Sequence, residues 1–321
     1  MRSTSRSSLV TVTIPTRNRA DHLAKTLDSI LNSTVLPDRI FVVDNSTDGH
    51  QATKTLCERY GDDVTYVAPT ADLSMAANHN RCLDLIDTEL GCVLHDDDVF
   101  GPDFLERGIA ELGAHPDAVF FAVNYGVIDE VGTELYPHAW PKFPAGQLSP
   151  REFLTTAFAT HSPVHFSASL LRADPARRCR LSDRDANCAD MGYFFQLATY
   201  GSVLLCQDGL VQVRVHADME SARAGYHGFR GNRRSEALAF VPVEWGTKRR
   251  FLVSDRAAAA LGSTRPAVRR AAAKAAVRAL AHDLRIPTLA LNERARLVLA
   301  AVAIGWQAIP NQYQRSKAIA A

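Results

Sequence analysis

Apolar and polar residues alternate in blocks that spell strand, helix, strand from the start of the chain. Leu9 to Ile14 is β-branched and stops at Pro15, which predicts a buried strand. From Asp21 onward, Leu23, Leu27, Ile30 and Leu31 recur at helical spacing. A second strand is expected over Arg39–Val43, then a helix carrying Leu56 and Tyr60 after the turn residues Asp48-Gly49. Val64–Val67 predicts a third strand, Ser74 to Ile86 a helix, and Gly91–Leu94 a fourth strand. Beyond Pro102 the pattern predicts a helix from Phe104 to Leu112 and an apolar strand from Ala118 to Val123. A hairpin over Tyr125–Tyr136 and a Pro-rich loop over 137–150 follow. Arg265 to Arg285 reads as a basic helix, and Leu289 to Ile309 as a more apolar one.

Strands alternating with helices at this spacing imply an α/β fold, a mostly parallel Rossmann-like sheet flanked by helices. A helical C-terminal appendage is expected to follow. The boundary is placed near residue 247: a main domain over 1–247 (nucleotide-binding part about 9–100, acceptor and catalytic part about 101–247), then a helical region over 248–321. Sheets of this kind bind ligands beyond the C-terminal ends of their strands. Here those ends read Pro15-Thr16-Arg17-Asn18, Asp44-Asn45-Ser46 and Asp96-Asp97-Asp98. All three are polar, and all fall on one sheet edge.

Composition adds limits. Hydrophobic residues make up 46% of the 321 and charged residues 22%, as in an ordinary globular protein. The formal net charge of +1 gives no basic field for nucleic acid, and none is expected as a partner. Six scattered cysteines lack zinc-knuckle or redox spacing, which suits reduced thiols in a cytoplasmic protein. No stretch reaches the length of a membrane span. The basic helix beside an apolar one leaves two readings open. One is docking on the protein itself or in a homo-oligomer, and the other is peripheral contact with the inner membrane face.

The aspartate triplet carries the chemistry. Three successive carboxylates after a buried strand repel one another unless a cation sits among them. Hard oxygen donors suit Mn²⁺ or Mg²⁺ together with substrate phosphates. Such an ion neutralises charge building on a departing nucleoside diphosphate.

Val10–Arg19 resembles the opening strand of the family 2 glycosyltransferases. Val42–Gly49 resembles that family's second strand and base-binding loop, and Ala76–Arg81 with Leu94–Asp98 its third block and metal motif. Ala189-Asp190, Tyr200-Gly201 and Val213–His216 resemble its C-terminal catalytic segment. The four ordered blocks span roughly residues 9 to 220.

The resemblance implies a GT-A fold and an inverting transfer from a nucleotide diphosphate sugar, with UDP- or dTDP-sugars favoured. The acceptor is a glycan, a lipid-linked molecule or a small molecule. It implies that Pro15, Thr16, Arg17, Asn18, Asp44, Asn45, Asn80, Asp96 and Asp97 bind the nucleotide sugar, that Asp98 and His216 ligate the metal, and that Asp190 is the general base. Arg214 is expected to help the diphosphate. Several residues depart from the family pattern. Asn45 replaces a common acid, and its amide oxygen is offered to a uracil or thymine imide. His79 and Cys82 stand where Arg and Gly are common, and Ala189 where an acid often precedes the base. Two competing readings are a nucleotidyltransferase, which would need a Gly-rich phosphate loop absent from Pro15–Asn18, and a non-catalytic sugar-binding protein.

Overall fold

The structure, a computed structural model, describes residues 5–7, 9–47, 50–140, 144–160, 164–183 and 189–216. The chain divides into two units after Val215. The helices expected over 265–285 and 289–309, and the boundary near 247, lie outside the described residues.

The strands are β1 (Ser5–Arg6), β2 (Val10–Thr16), β3 (Val35–Leu36), β4 (Arg39–Asp44), β5 (Thr65–Val67), β6 (Leu90–Val93), β7 (Val99–Phe100), β8 (Ala118–Ile128), β9 (Glu134–Tyr136), β10 (Gly146–Leu148), β11 (Ser169–Arg172) and β12 (Ser202–Arg214). The helices are α1 (Ala20–Leu31), α2 (Gln51–Glu58), α3 (Met75–Asp84), α4 (Phe104–Ala114), α5 (Pro150–Thr160), α6 (Ala173–Arg178) and α7 (Ala189–Leu197).

One large sheet runs in the order β10-β12-β8-β11-β6-β2-β4-β5, with β7 added to β12 and β9 to β8. β6, β2, β4 and β5 pair in parallel, as do β8 and β12. β11 runs antiparallel to both β6 and β8 and joins the two parallel groups. Because it reverses once on each side, β6 and β8 point the same way. Their C-terminal ends therefore share an edge with those of β2, β4 and β12.

The expected hairpin is present, but its first strand does not stop at Val123. β8 continues to Ile128, and β9 returns to pair Tyr136 with Val127. Asp129 closes the turn by accepting the backbone N–H groups of Val131, Gly132 and Thr133 on Oδ1. The Pro-rich loop contains a short edge strand, β10, on β12.

β2 is buried throughout, and Val10, Val12 and Ile14 pack among Leu23, Leu27 and Ile30 of α1. An aromatic layer fixes the elements around the site. Phe120 of β8 touches Phe153 of α5 and Phe194 of α7, and Phe166 touches Tyr193 and Phe194 with ring centroids 5.0 Å apart. Burying each such ring stabilises the fold by about 1.5–3 kcal/mol, and each ring pair adds about 0.5–1.5. This layer holds the start of α7, and with it Asp190, against the segment carrying His165.

Candidate active site

Register brings the first two polar strand ends together. Thr16 of β2 is paired with Asp44 of β4, and Leu94 donates its N–H to Thr13 as β6 leaves the ladder. The triplet therefore emerges beside Thr16, whose hydroxyl donates to Asp96 Oδ2 at 2.7 Å. All three aspartates are buried, Asp98 most deeply at 1% exposure.

The cation that such a cluster needs is Arg19, at the mouth of α1. Its guanidinium lies 3.4 Å from Asp96 Oδ1 and 3.0 Å from Asp97 Oδ2. Burial still dominates. Together with the nearby Asp97 it pushes Asp96 up to about 7, against the pull of Arg19 and Thr16. Asp98 is raised well above the usual carboxylate range, again by burial and then Asp97.

Asp98 is held on both oxygens. Oδ1 accepts the backbone N–H of Arg214 at 2.9 Å, and Oδ2 accepts the Ser167 hydroxyl at 2.5 Å. The Arg214 guanidinium, expected near the diphosphate, is turned inward. It donates to the backbone carbonyls of Asp97, Asp129 and Glu130 and is 2% exposed. It locks the triplet's backbone to the β8–β9 turn.

Three histidines line this carboxylate cluster. His95 Nδ1 and His165 Nδ1 each lie 3.8 Å from Asp98 Oδ2. These three donor atoms lie within 4.8 Å of one another, a spacing that fits a divalent ion. His165 Nδ1 is buried and has no hydrogen-bond partner. His79 Nε2 faces His95 Nε2 at 3.3 Å, and His79 Nδ1 faces the Met75 carbonyl at 2.9 Å. Burial lowers all three: His79 to about 3, with His95 as the next cause; His95 to about 3, with His165 next; and His165 to about 4, where Asp97 opposes the shift. They are neutral imidazoles near neutral pH.

On the nucleotide side, Asp44 is fully buried and accepts from Tyr66 Oη and the Ser46 N–H, both at 2.8 Å. His50, in a left-handed conformation, brings Nδ1 to 3.7 Å from Asp44 Oδ2. Asn18 is also left-handed, with φ 57°, and its amide brackets Thr47. Arg17 is exposed and paired with Asp72 at 3.0 Å, and Pro15 is buried opposite Val43.

Three asparagines act alike. Asn45 bonds both ways to the backbone of Leu73, Asn80 to Leu181 and Asn124 to Trp140, at 2.8–3.2 Å. The Asn45 amide oxygen offered to a base imide thus already accepts the Leu73 N–H. Asn45 and Asn80 shape the loops around the cleft.

Asp190 sits in the first turn of α7, where Oδ1 accepts the Met191 N–H at 2.7 Å. Its neighbours in sequence are engaged elsewhere. Asp174 pairs with Arg178 at the surface, Asp183 accepts from Ser74, and Asp185 lies outside the described residues. Tyr125 lies against His165, with ring centroids 5.4 Å apart. Burial pushes its hydroxyl up to about 12, and Asp190 and Asp98 both push the same way. His216 is half-buried and follows two residues after Arg214. Trp140 is half-buried.

Residues that sequence reasoning gave no role here are Arg19, His95, Ser167 and the pairing of His79 with His95. Their separations in sequence carry no motif. Only the need for a cation among three carboxylates pointed toward an arginine.

Among the described residues no helix is long and apolar enough to cross a membrane. Residues 11–173, just over half of the chain, match Glycosyl transferase family 2. A comparison with curated protein sequences found no match. Among solved structures, S. aureus TarS 1–349 in complex with UDP-GlcNAc is similar at 14% identity and TM-score 0.59, over 96% of this chain and 92% of that one. The same protein in complex with UDP gives 13% identity and TM-score 0.58, over 96% and 91%. A further TarS 1–349 structure gives 12% and 0.55, over 95% and 82%. At these identities the likeness is one of fold. With its mostly parallel sheet flanked by helices and the family match across both polar strand ends and the aspartate triplet, the chain belongs to the family 2 glycosyltransferases and has the GT-A fold.

Proposed function

We propose that this protein moves a sugar from a nucleotide diphosphate sugar to an acceptor hydroxyl or amine, with inversion at the anomeric carbon. The observation that carries the reading is the meeting of Thr16, Asp44 and Asp96–Asp98 on one sheet edge.

Thr16, Arg17, Asn18 and the Asp44–Ser46 loop form the wall for the nucleoside, and Asp96 and Asp97 face the donor's ribose or sugar. Asp98 holds the divalent metal, Mn²⁺ or Mg²⁺. That ion, when bound, neutralises charge developing on the departing diphosphate. Asp190 takes the acceptor's proton, since a sugar hydroxyl is a poor nucleophile without a positioned base. The start of a helix favours its ionised form. The TarS complexes with UDP-GlcNAc and UDP support a uridine donor, and dTDP-sugars keep the same imide edge.

The test is a panel of nucleotide sugars, incubated with and without Mn²⁺ and followed for release of nucleoside diphosphate. Slow metal-stimulated hydrolysis of one donor supports the reading. Binding without release from any donor would favour a non-catalytic sugar-binding protein. Release of pyrophosphate from a nucleoside triphosphate and a sugar phosphate would favour a nucleotidyltransferase.

A further inference from the structure

We propose that His95, Asp98 and His165 are the protein ligands of the divalent cation, that His79 is a positioning residue fixing the tautomer of His95, and that the site prefers Mn²⁺, Co²⁺ or Zn²⁺ to Mg²⁺. This rests on reading the aspartate triplet as the metal end of a transferase cleft, but it can fail or stand separately from that reading.

The argument starts at a backbone carbonyl. His79 Nδ1 lies 2.9 Å from the Met75 carbonyl oxygen, which only accepts, so the proton of the neutral ring is on Nδ1. His79 Nε2 is then a bare lone pair. It faces His95 Nε2 at 3.3 Å, and two bare nitrogens would repel. The proton of His95 is therefore on Nε2, and His95 Nδ1 is left as a lone pair. That atom faces Asp98 Oδ2, also an acceptor, at 3.8 Å.

Two acceptors facing each other do not form a hydrogen bond, and 3.8 Å is beyond one in any case. It is within the reach, up to about 4.2 Å, of two ligands that share an ion at about 2.1 Å each. His165 adds an independent observation. Its Nδ1 is buried, lies 3.8 Å from the same Asp98 oxygen, and has no hydrogen-bond partner. An orphaned buried nitrogen destabilises the fold unless something satisfies it. One cation among His95 Nδ1, His165 Nδ1 and Asp98 Oδ2 satisfies all three atoms.

The surroundings are those of an oriented ligand set. Ser167 receives the His95 backbone N–H at 3.1 Å and donates to Asp98 Oδ2, and Arg214 fixes the other oxygen. The His79 Nε2 lone pair orders His95 in the way outer partners order metal-bound imidazoles. Two imidazoles and one carboxylate suit borderline transition ions, whereas Mg²⁺ favours oxygen donors and keeps its waters.

The experiment uses the full chain, freed of metal, with no sugar donor present. Co²⁺ titration should give visible absorption bands of a nitrogen-ligated ion, displaced by Zn²⁺ and unaffected by a large excess of Mg²⁺. His95→Ala and His165→Ala should each weaken Co²⁺ by at least about 10-fold and shift the bands. His79→Phe, which removes the acceptor, should weaken it about 10- to 100-fold, and His79→Gln, which keeps one, should restore most of the loss. Nitrogen-15 shifts of the metal-free protein should report His79 protonated on Nδ1 and His95 on Nε2. His95 found protonated on Nδ1, or Co²⁺ bands unchanged by both alanine variants, overturns the proposal. If nitrogen-ligated Co²⁺ binds but no nucleotide sugar is consumed, the site stands and the transferase reading fails. If Mg²⁺-driven turnover persists undiminished in the His95→Ala/His165→Ala double variant, the site falls and the transferase reading stands.

Discussion

Ser167 Oγ donates a 2.5 Å hydrogen bond to Asp98 Oδ2, and both residues are buried. The serine belongs to a short 3₁₀ turn before β11, the strand that joins the two parallel groups, so this one bond ties the triplet to the second half of the sheet. Ser167→Ala leaves that oxygen one donor short. It should lower unfolding free energy by about 1–3 kcal/mol in urea titration and weaken Mn²⁺ binding in calorimetry. Unchanged stability and unchanged affinity together would show that the bond has no part in either.

Arg19→Met keeps the alkyl stem and removes the only charge seen paired to both Asp96 and Asp97 among the described residues. The guanidinium is a quarter exposed, so the loss should be moderate, about 1–3 kcal/mol. A divalent cation should restore much of it. Thermal melts with and without Mn²⁺ check this: the metal-induced rise in Tm should be larger in the variant than in the parent protein.

Asp190→Asn keeps the shape and removes the basicity. We expect kcat to fall roughly 10²–10⁴-fold, with donor affinity little changed. Steady-state kinetics and binding of the nucleotide sugar separate the two effects. The anomeric configuration of the product must be inverted, and a retained configuration would rule out a single displacement with Asp190 as base.

The buried acids and imidazoles give opposite slopes of stability against pH. Asp96, pushed up to about 7, and Asp98, also raised by burial, are both raised on folding, so their contribution is complete below about pH 4 and is lost as pH climbs, for Asp96 through about 7. His79, His95 and His165 are lowered to about 3, 3 and 4, so theirs is complete above pH 6.5 and is lost as pH falls. Between these limits the unfolded chain holds three imidazole protons against two carboxyl protons in the folded one, and stability rises with pH. Above 6.5 only the carboxyl slope remains, and stability falls. The metal-free protein should therefore be most stable near pH 6.5, with Mn²⁺ flattening the alkaline side. Melting curves from about pH 5 to about pH 8.5 test this, and a steady rise through pH 8 without metal would contradict it.

The parallel half of the fold was legible because β2, β4 and β6 are short apolar runs alternating with helices, and their polar ends mark one edge. β8 was read short because Asn124, Tyr125 and Gly126 interrupt its apolar run. Asn124 is nonetheless fully buried, its amide satisfied by Trp140. β10 was hidden among prolines because Gly146-Gln147-Leu148 has no alternation and pairs only as an edge. The carboxylates of the site could be seen in sequence, since charge repulsion demands an explanation locally. Arg19, Ser167 and the pairing of His79 with His95 could not, because these partnerships cross 77, 69 and 16 residues that only the topology closes. Among the described residues Cys57, Cys82, Cys92 and Cys179 are buried and unbridged, and Cys206 is half-buried.

The asparagine brackets set a separate energy scale for the cleft. Asn45, Asn80 and Asn124 tie the loops at Leu73, Leu181 and Trp140 through two side-chain hydrogen bonds each, with no strand ladder involved. Releasing one loop breaks about two ordinary hydrogen bonds, roughly 1–3 kcal/mol, and leaves the sheet intact. Such openings lie far below global unfolding and can recur during a catalytic cycle. The amide protons of Leu73, Leu181 and Trp140 are thus local gauges: their exchange with solvent deuterium reports how often each wall of the cleft lets go, while those of β2 and β6 report the whole fold.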